Sequence, residues 1–362
     1  MKDIAMLVGV SRQAVSAALN DTKSCRISED KCREIKRVAR ELNYVSNNAA
    51  RSLKGAPSKT IGFMGPFMSS GLNSALISEI SQILTAEGYN ILYNNYAHTS
   101  YSATESSLNL LARGVDGIIV YNSEKIKPFM EKQTVPYLFY SHNNYNYMDV
   151  GVDNECGGLI ATKHLLEHGH KKVAFITILP PGKKARYTGW RRAHHEAGIN
   201  ITDDDMIILR ELDGDVDLVI DILKRRKISA VFASNDFIGA KLIKVLTQRG
   251  IGVPNDVAVV AYDGYAFSGF CAPSLTTVAQ PIREQAEIGV KLLLERIATK
   301  EISSPPANHL IKPILYAGAS CGCQEKPINK LYRINTFDML EKSAKMNFNT
   351  NIFNNQRSNE NE

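Results

Sequence analysis

Two rhythms of apolar residues divide the chain. In MKDIAMLVGVSRQAVSAALN, Ile4, Ala5, Leu7 and Val8 form an apolar helical face that breaks at Gly9, and Ser11 then offers an N-cap to a second helix. RISEDKCREIKRVARELNY predicts a third. Ser28 caps it, Glu29 and Asp30 complement its dipole, and Cys32, Ile35, Val38, Ala39 and Leu42 recur on one face. Three short helices around one small core can present the second to a DNA major groove. Helix pairs with a glycine turn are also common without any such role, so the pattern needs a second sign beside it.

From Thr60 the period changes. TIGFMG, YNILYNNY, GIIVYN, KKVAFITIL, SAVFAS and DVAVVAY are short β-rich runs that alternate with helical stretches such as SALISEISQILTAEG, CGGLIATKHLLEHG and FIGAKLIKVLTQRG. That alternation predicts parallel sheets with crossover helices. The run is longer than one compact sheet needs, and VGVDNECGG around Asp153 reads as the changeover into a second series. The expected fold is a small all-α head followed by an α/β core of two doubly wound parallel-sheet lobes. Residues 1–46 make the head, 47–59 a short helix and linker, and 60–323 the core, with lobe 1 about 60–152 and 282–308 and lobe 2 about 153–281 and 309–323. Residues 324–362 leave the rhythm and turn Asn-rich, which predicts a disordered tail, although LYRINTFDMLEKSAK can form a short helix.

Charge sharpens the picture of the head. Of the net +6, all lies in residues 1–59, where 12 Lys plus Arg face 6 Asp plus Glu; the other 303 residues carry 31 of each sign. A basic face attracts phosphate backbones by releasing counterions, and a solvated helical surface accounts for the same charge equally well. At 44% hydrophobic and 22% charged, the chain suits globular domains with real cores. No apolar run approaches the roughly 18 to 20 residues that span a bilayer, and the first residues lack a signal-peptide pattern, so a cytoplasmic protein is expected. The cysteines, at 25, 32, 156, 271, 321 and 323, show no zinc-ribbon spacing and read as free thiols.

GVSRQAVSAALN, ELNY, NNAARSLKG and SKTIGF stand in the order and spacing of the LacI/GalR family of bacterial repressors, which the chain resembles from residue 2 to about 321. The resemblance implies a helix-turn-helix head, a hinge helix, and an effector core similar to periplasmic sugar-binding proteins. It also implies a homodimer on a palindromic double-stranded DNA operator, released or recruited by a small-molecule effector, with a sugar or derivative the leading class and a nucleobase the alternative. For DNA it points to Ser11, Arg12, Gln13, Ser16, Ala17 and Asn20 on and after the second helix, where Arg12 suits guanine, Gln13 adenine and the serines phosphates. Many relatives have Thr and Arg where this chain has Ala14 and Ala17, which puts contacts carried over at those positions in doubt. In the hinge it points to Asn47, Ala50, Arg51, Leu53 and Lys54, with Leu53 wedging into the central base step of the minor groove. A linker leucine packed on the core is the other place for Leu53.

Ligands of open α/β sheets bind beyond the carboxyl ends of the strands. Asn235 and Asp236 after AVFAS, and Asp263 after VAVVAY, are therefore expected at an interlobe cleft, with helix capping as the alternative role. Asp263 matches the family's Tyr-Asp, whose carboxylate meets ligand; two sugar hydroxyls suit a carboxylate. ARYTGW resembles the family's Arg-x-x-Gly-aromatic segment, placing Arg186 in the cleft and leaving Trp190 either stacked on ligand or packed in the lobe. Asp153 takes a cleft or a turn role, Gln280 matches a position that can touch ligand, and Phe67 can face a ring from the opposite wall or tuck into the core.

A zinc peptidase is the enzyme reading to test, because HLLEH, residues 164–168, matches H-x-x-E-H. The pair ends a helix before Gly169, where cationic side chains complement the dipole, so a plain helix end with no metal is expected. No nucleophile elbow and no phosphate-binding P-loop is read, and neither catalysis nor a cofactor is expected. A sugar receptor of the transport type, the alternative function, would carry a signal peptide in place of the basic head.

Overall fold

The computed structural model describes residues 1–19, 27–44, 57–65, 71–96, 100–122, 126–141, 148–178, 185–210, 216–302 and 307–324. It separates into two compact units, 1–58 and the rest.

In the first unit, α1 (Lys2–Val8), α2 (Arg12–Leu19) and α3 (Glu29–Glu41) surround a core of Ile4, Ala5, Val8, Val15, Ala18, Ile35, Val38 and Ala39. Gly9 ends α1 in the left-handed region at φ 69°, which a side chain rarely adopts. The Ser11 hydroxyl accepts the Ala14 N–H at 3.1 Å, and Ser28 accepts from Lys31, so both expected N-caps form. Leu7 is a correction: it is 64% exposed. At about 100° per residue it lies some 100° around the helix from the axis of Ile4, Ala5 and Val8, beyond the reach of so small a core. Leu42, at the C-cap of α3, is likewise exposed.

The second unit holds two six-stranded sheets. The first has the order β11-β5-β4-β3-β1-β2, from β1 (Thr60–Gly65), β2 (Asn90–Asn95), β3 (Gly117–Tyr121), β4 (Tyr137–Tyr140), β5 (Val150–Val152) and β11 (His309–Ile311). The second has the order β12-β10-β9-β8-β6-β7, from β6 (Ala174–Thr177), β7 (Met206–Ile208), β8 (Ala230–Ala233), β9 (Ala258–Asp263), β10 (Thr276–Ala279) and β12 (Ile314–Tyr316). Among the described residues every pairing is parallel except β10 with β12. Central strands such as GIIVY, YLFY and AVFA are buried throughout, because helices cover both faces.

The chain passes between lobes at Asp153, at 280–281 and at 312–313. The expected boundary at 308 is corrected here: His309–Ile311 pairs with β5 and stays in lobe 1, and the return falls after it. Only Ile311 of that edge strand is buried, so no apolar pattern marks it. Asp153 N–H donates to Ile311 O at 2.9 Å, joining the first passage to the third.

Within lobe 2, the helices Asn154–Glu167 and Ala185–Glu196 meet through glycine. A Cβ on Gly189 would lie 2.0 Å from Glu155 O, and one on Gly158 would lie 2.2 Å from Arg186 O. Close approach here positions Arg186. The first of these helices ends on His164 and His168, and the turn after β12 brings Cys321 and Cys323 against them. The histidine pair is therefore not a plain solvated helix end.

Candidate functional site

The DNA-facing candidates sort by the geometry of α2. Val15 and Ala18 are buried, while Ser11, Arg12 and Gln13 are exposed and Ser16 and Ala17 half-exposed on the opposite side. The helix thus turns its apolar side to the small core and its hydrogen-bonding side outward. Asn20, Asn47, Ala50, Arg51, Leu53, Lys54 and Phe67 lie outside the described residues.

The effector candidates split into three that converge and three that do not. Arg186, on the first turn of its helix, pairs with Asp263 at 2.9 Å, and Gln280 Nε2 donates to Asp263 Oδ1 at 2.9 Å. The Arg186 guanidinium also donates to Asn154 Oδ1 at 2.9 Å and to Ser234 O at 2.5 Å, and lies 3.7 Å over the Tyr262 ring. Four fixed partners hold the fork in one orientation. Asp263 closes β9 at φ 113°, a strained backbone for a residue with a Cβ, and such strain is retained where surroundings over-determine it. Burial raises the Asp263 pKa, against the pull of Arg186 and of the Gln280 hydrogen bond. Gln280 Oε1 is buried without a hydrogen-bond partner among the described residues.

Asp153 and Asn235 serve as helix caps: Asp153 Oδ1 accepts the Cys156 N–H at 2.8 Å, and Asn235 Oδ1 accepts that of Ile238 at 2.9 Å. Trp190 is a correction. It is fully buried among Phe175, Tyr187 and His194, and its indole N–H donates to Val173 O at 2.9 Å, leaving no ring face for a ligand. As the last bulky residue of ARYTGW it faces the sheet, which holds the helix that carries Arg186.

The sequence missed several neighbours. Asp236, expected as cap or cleft residue, is a buried hub: its carboxylate accepts from Tyr265 N–H at 2.6 Å, Ser268 at 2.8 Å and Thr277 at 2.5 Å. Burial first, then the Asp263 carboxylate, push its pKa up to about 7 against those three donors. From lobe 1, Tyr121 donates to Asn73 Oδ1 at 2.8 Å; its phenol pKa is pushed up mainly by burial and next by Asp263 across the lobe junction. The Tyr265 hydroxyl receives Leu72 N–H at 3.4 Å, and the Tyr265 ring fills the space beside Gly71. Phe237, Tyr265 and Phe267 pack ring to ring at 4.9 to 5.3 Å, with Phe237 half-exposed. Their signal in NDFIG and YDGYAF is an aromatic next to Asp236 and two more within four residues after Asp263, too common a pattern to single out beforehand.

The G-x-S-x-G pattern, expected to be absent, does occur at 318–322. It is not an elbow: Ser320 is fully buried, accepts Thr276 N–H at 2.8 Å and donates to Val259 O. A hydroxyl so engaged has no free path to a substrate.

Residues 1–47 match the model of bacterial regulatory proteins of the lacI family, and residues 162–321 match that of the periplasmic binding protein-like domain. The HTH-type transcriptional repressor PurR of Vibrio atlanticus is 31% identical over 83% of this chain and 92% of its own length. The ribose operon repressor of Escherichia coli K12 is 30% identical over 82% and 92%. Among solved structures, the lac repressor dimer bound to operator and the anti-inducer ONPF aligns over 88% of this chain and 98% of its own with a TM-score of 0.75 at 22% identity, a likeness of fold. The CelR–cellobiose complex aligns over the same shares with a TM-score of 0.62 at 25% identity. No described helix is long and apolar enough to cross a membrane.

Proposed function

Since this chain belongs to the LacI family of bacterial regulatory proteins, and is thus a DNA-binding repressor controlled by a small-molecule effector, we propose that its effector is a sugar or sugar derivative held where the lobes meet. The observation that carries the proposal is the convergence of Arg186, Asp263 and Gln280 at that junction, beside the Phe237, Tyr265 and Phe267 rings. A carboxylate accepts from two hydroxyls, a guanidinium donates to others, and Gln280 Oε1 is a buried acceptor for one more. Flat apolar rings suit the C–H face of a pyranose or furanose.

Two heads of a homodimer on a palindromic site supply the base contacts that a single small head lacks. Effector binding changes operator affinity only by the difference in its affinity for the two lobe arrangements. The test is a thermal-shift screen of the full chain against monosaccharides, disaccharides, sugar phosphates, nucleosides and purine bases. A sugar is expected to raise Tm, to lose that effect in Asp263→Asn, and to change operator binding in the wild type. A purine base that does all three in place of a sugar overturns the proposal in favour of a base as ligand.

A further inference from the structure

We propose that His164, His168, Cys321 and Cys323 form a tetrahedral site for a zinc-type divalent ion that fastens the end of the core to lobe 2. One donor atom from each residue lies within 4.8 Å of all the others. The His164 Nε2 to Cys321 Sγ distance is 3.2 Å, His164 Nε2 to Cys323 Sγ is 3.7 Å, and His168 Nε2 to Cys323 Sγ is 3.4 Å. A tetrahedral ion with M–S of about 2.3 Å and M–N of about 2.0 to 2.1 Å separates a sulfur from a nitrogen by about 3.6 Å, and the three spacings straddle that value.

The local sequence explains the convergence. His164 and His168 stand four apart, one above the other on the final turn of the helix Asn154–Glu167. Cys321 and Cys323 are separated by Gly322 at φ 90°, a turn that brings the second sulfur round to the same side. Thr276 donates its hydroxyl to Cys321 Sγ at 3.0 Å, an outer-sphere contact of the kind that orients a thiolate ligand. Two imidazoles and two thiolates in tetrahedral array select zinc over the hard cations that prefer oxygen.

The site differs from a peptidase centre in its closure. All four positions are taken by protein, so no coordinated water is left as a nucleophile, and the role is structural. The ion would bridge residues 164 and 168 to 321 and 323, tying a long loop of chain, where a cross-link constrains the unfolded ensemble most.

The test uses the untagged full chain, purified under reducing conditions and dialysed against trace chelator. One zinc per chain by elemental analysis is expected, and exchange with cobalt should give the intense visible bands of tetrahedral geometry with thiolate charge transfer in the near ultraviolet. His168→Gln, at an exposed position, and Cys323→Ser, a near-isosteric change at a partly buried one, should each lower zinc affinity by at least tenfold while the chain stays folded by circular dichroism. A strong chelator should lower the Tm of the wild type and leave that of a variant carrying both Cys323→Ser and His168→Gln unchanged. Substoichiometric zinc, a cobalt spectrum without thiolate charge transfer, equal zinc in wild type and variants, or a Cys321–Cys323 disulfide in the native protein would each overturn the assignment.

Discussion

Asp236 makes the folded core sensitive to pH in a direction opposite to the usual carboxylate. Its pKa rises from 3.8 to about 7, so in that interval the native state keeps a proton that the unfolded chain has lost. Stability therefore falls as pH climbs through the window and levels off above it. With those two values, linkage gives a loss of about 2.5 kcal/mol from this one group between about pH 5 and about pH 8. Asp236→Asn removes the titration while keeping one acceptor for Tyr265, Ser268 or Thr277. Urea unfolding of both proteins at the two pH values reads the group together with its coupling to Asp263, the neighbouring carboxylate that raises its pKa. The variant is expected to lose ground at low pH and recover about 2.5 kcal/mol relative to wild type at high pH. Asp263→Asn, which removes the neighbouring charge, should shrink the wild-type slope. A wild-type and Asp236→Asn difference that is independent of pH would refute the reasoning, since it would mean the three donors keep Asp236 ionised throughout.

Gly189→Ala should cost about 1 to 3 kcal/mol in chemical denaturation and weaken the effector response, because its new methyl meets Glu155 O and drives apart the helices that position Arg186. Trp190→Phe should cost about 1 to 2 kcal/mol, by loss of the hydrogen bond to Val173 O, with effector affinity unchanged in titration calorimetry; a large loss of affinity at full stability would return Trp190 to the ligand. Ala17→Arg should change the base preferred at one operator position in selection from random DNA, and identical selected sites would refute a base contact there. Leu53→Ala should weaken operator binding and reduce DNA bending in gel-shift phasing while sparing effector affinity, and unchanged bending would refute the wedge.

Periodic features were legible in the sequence. The helical spacing of Ile4, Val8, Ile35 and Val38, the caps Ser11 and Ser28, and the alternation of strand and helix from Thr60 all arise from local rules, and each appears in the described structure. Asp263 and Arg186 were legible because a strand end or a family segment marks them. What escaped depends on contacts distant in sequence. Asp236 is a hub only because Tyr265, Ser268 and Thr277 return to it, and His309–Ile311 is a strand only because β5 offers an edge. Cys321 and Cys323 lie more than 150 residues from the histidines they meet, so HLLEH resembles a peptidase motif in the sequence and nothing there pairs it with the two sulfurs. Trp190 failed for a different reason: a segment match fixes a residue's place on a helix and not the side of the helix it faces.

The hydrogen bond from Asp153 to Ile311 gives the core a mechanical property. That bond continues the β5–β11 ladder past Val152, so the first and third passages leave lobe 1 side by side as a paired ribbon. A change of angle between the lobes therefore has to bend both passages together.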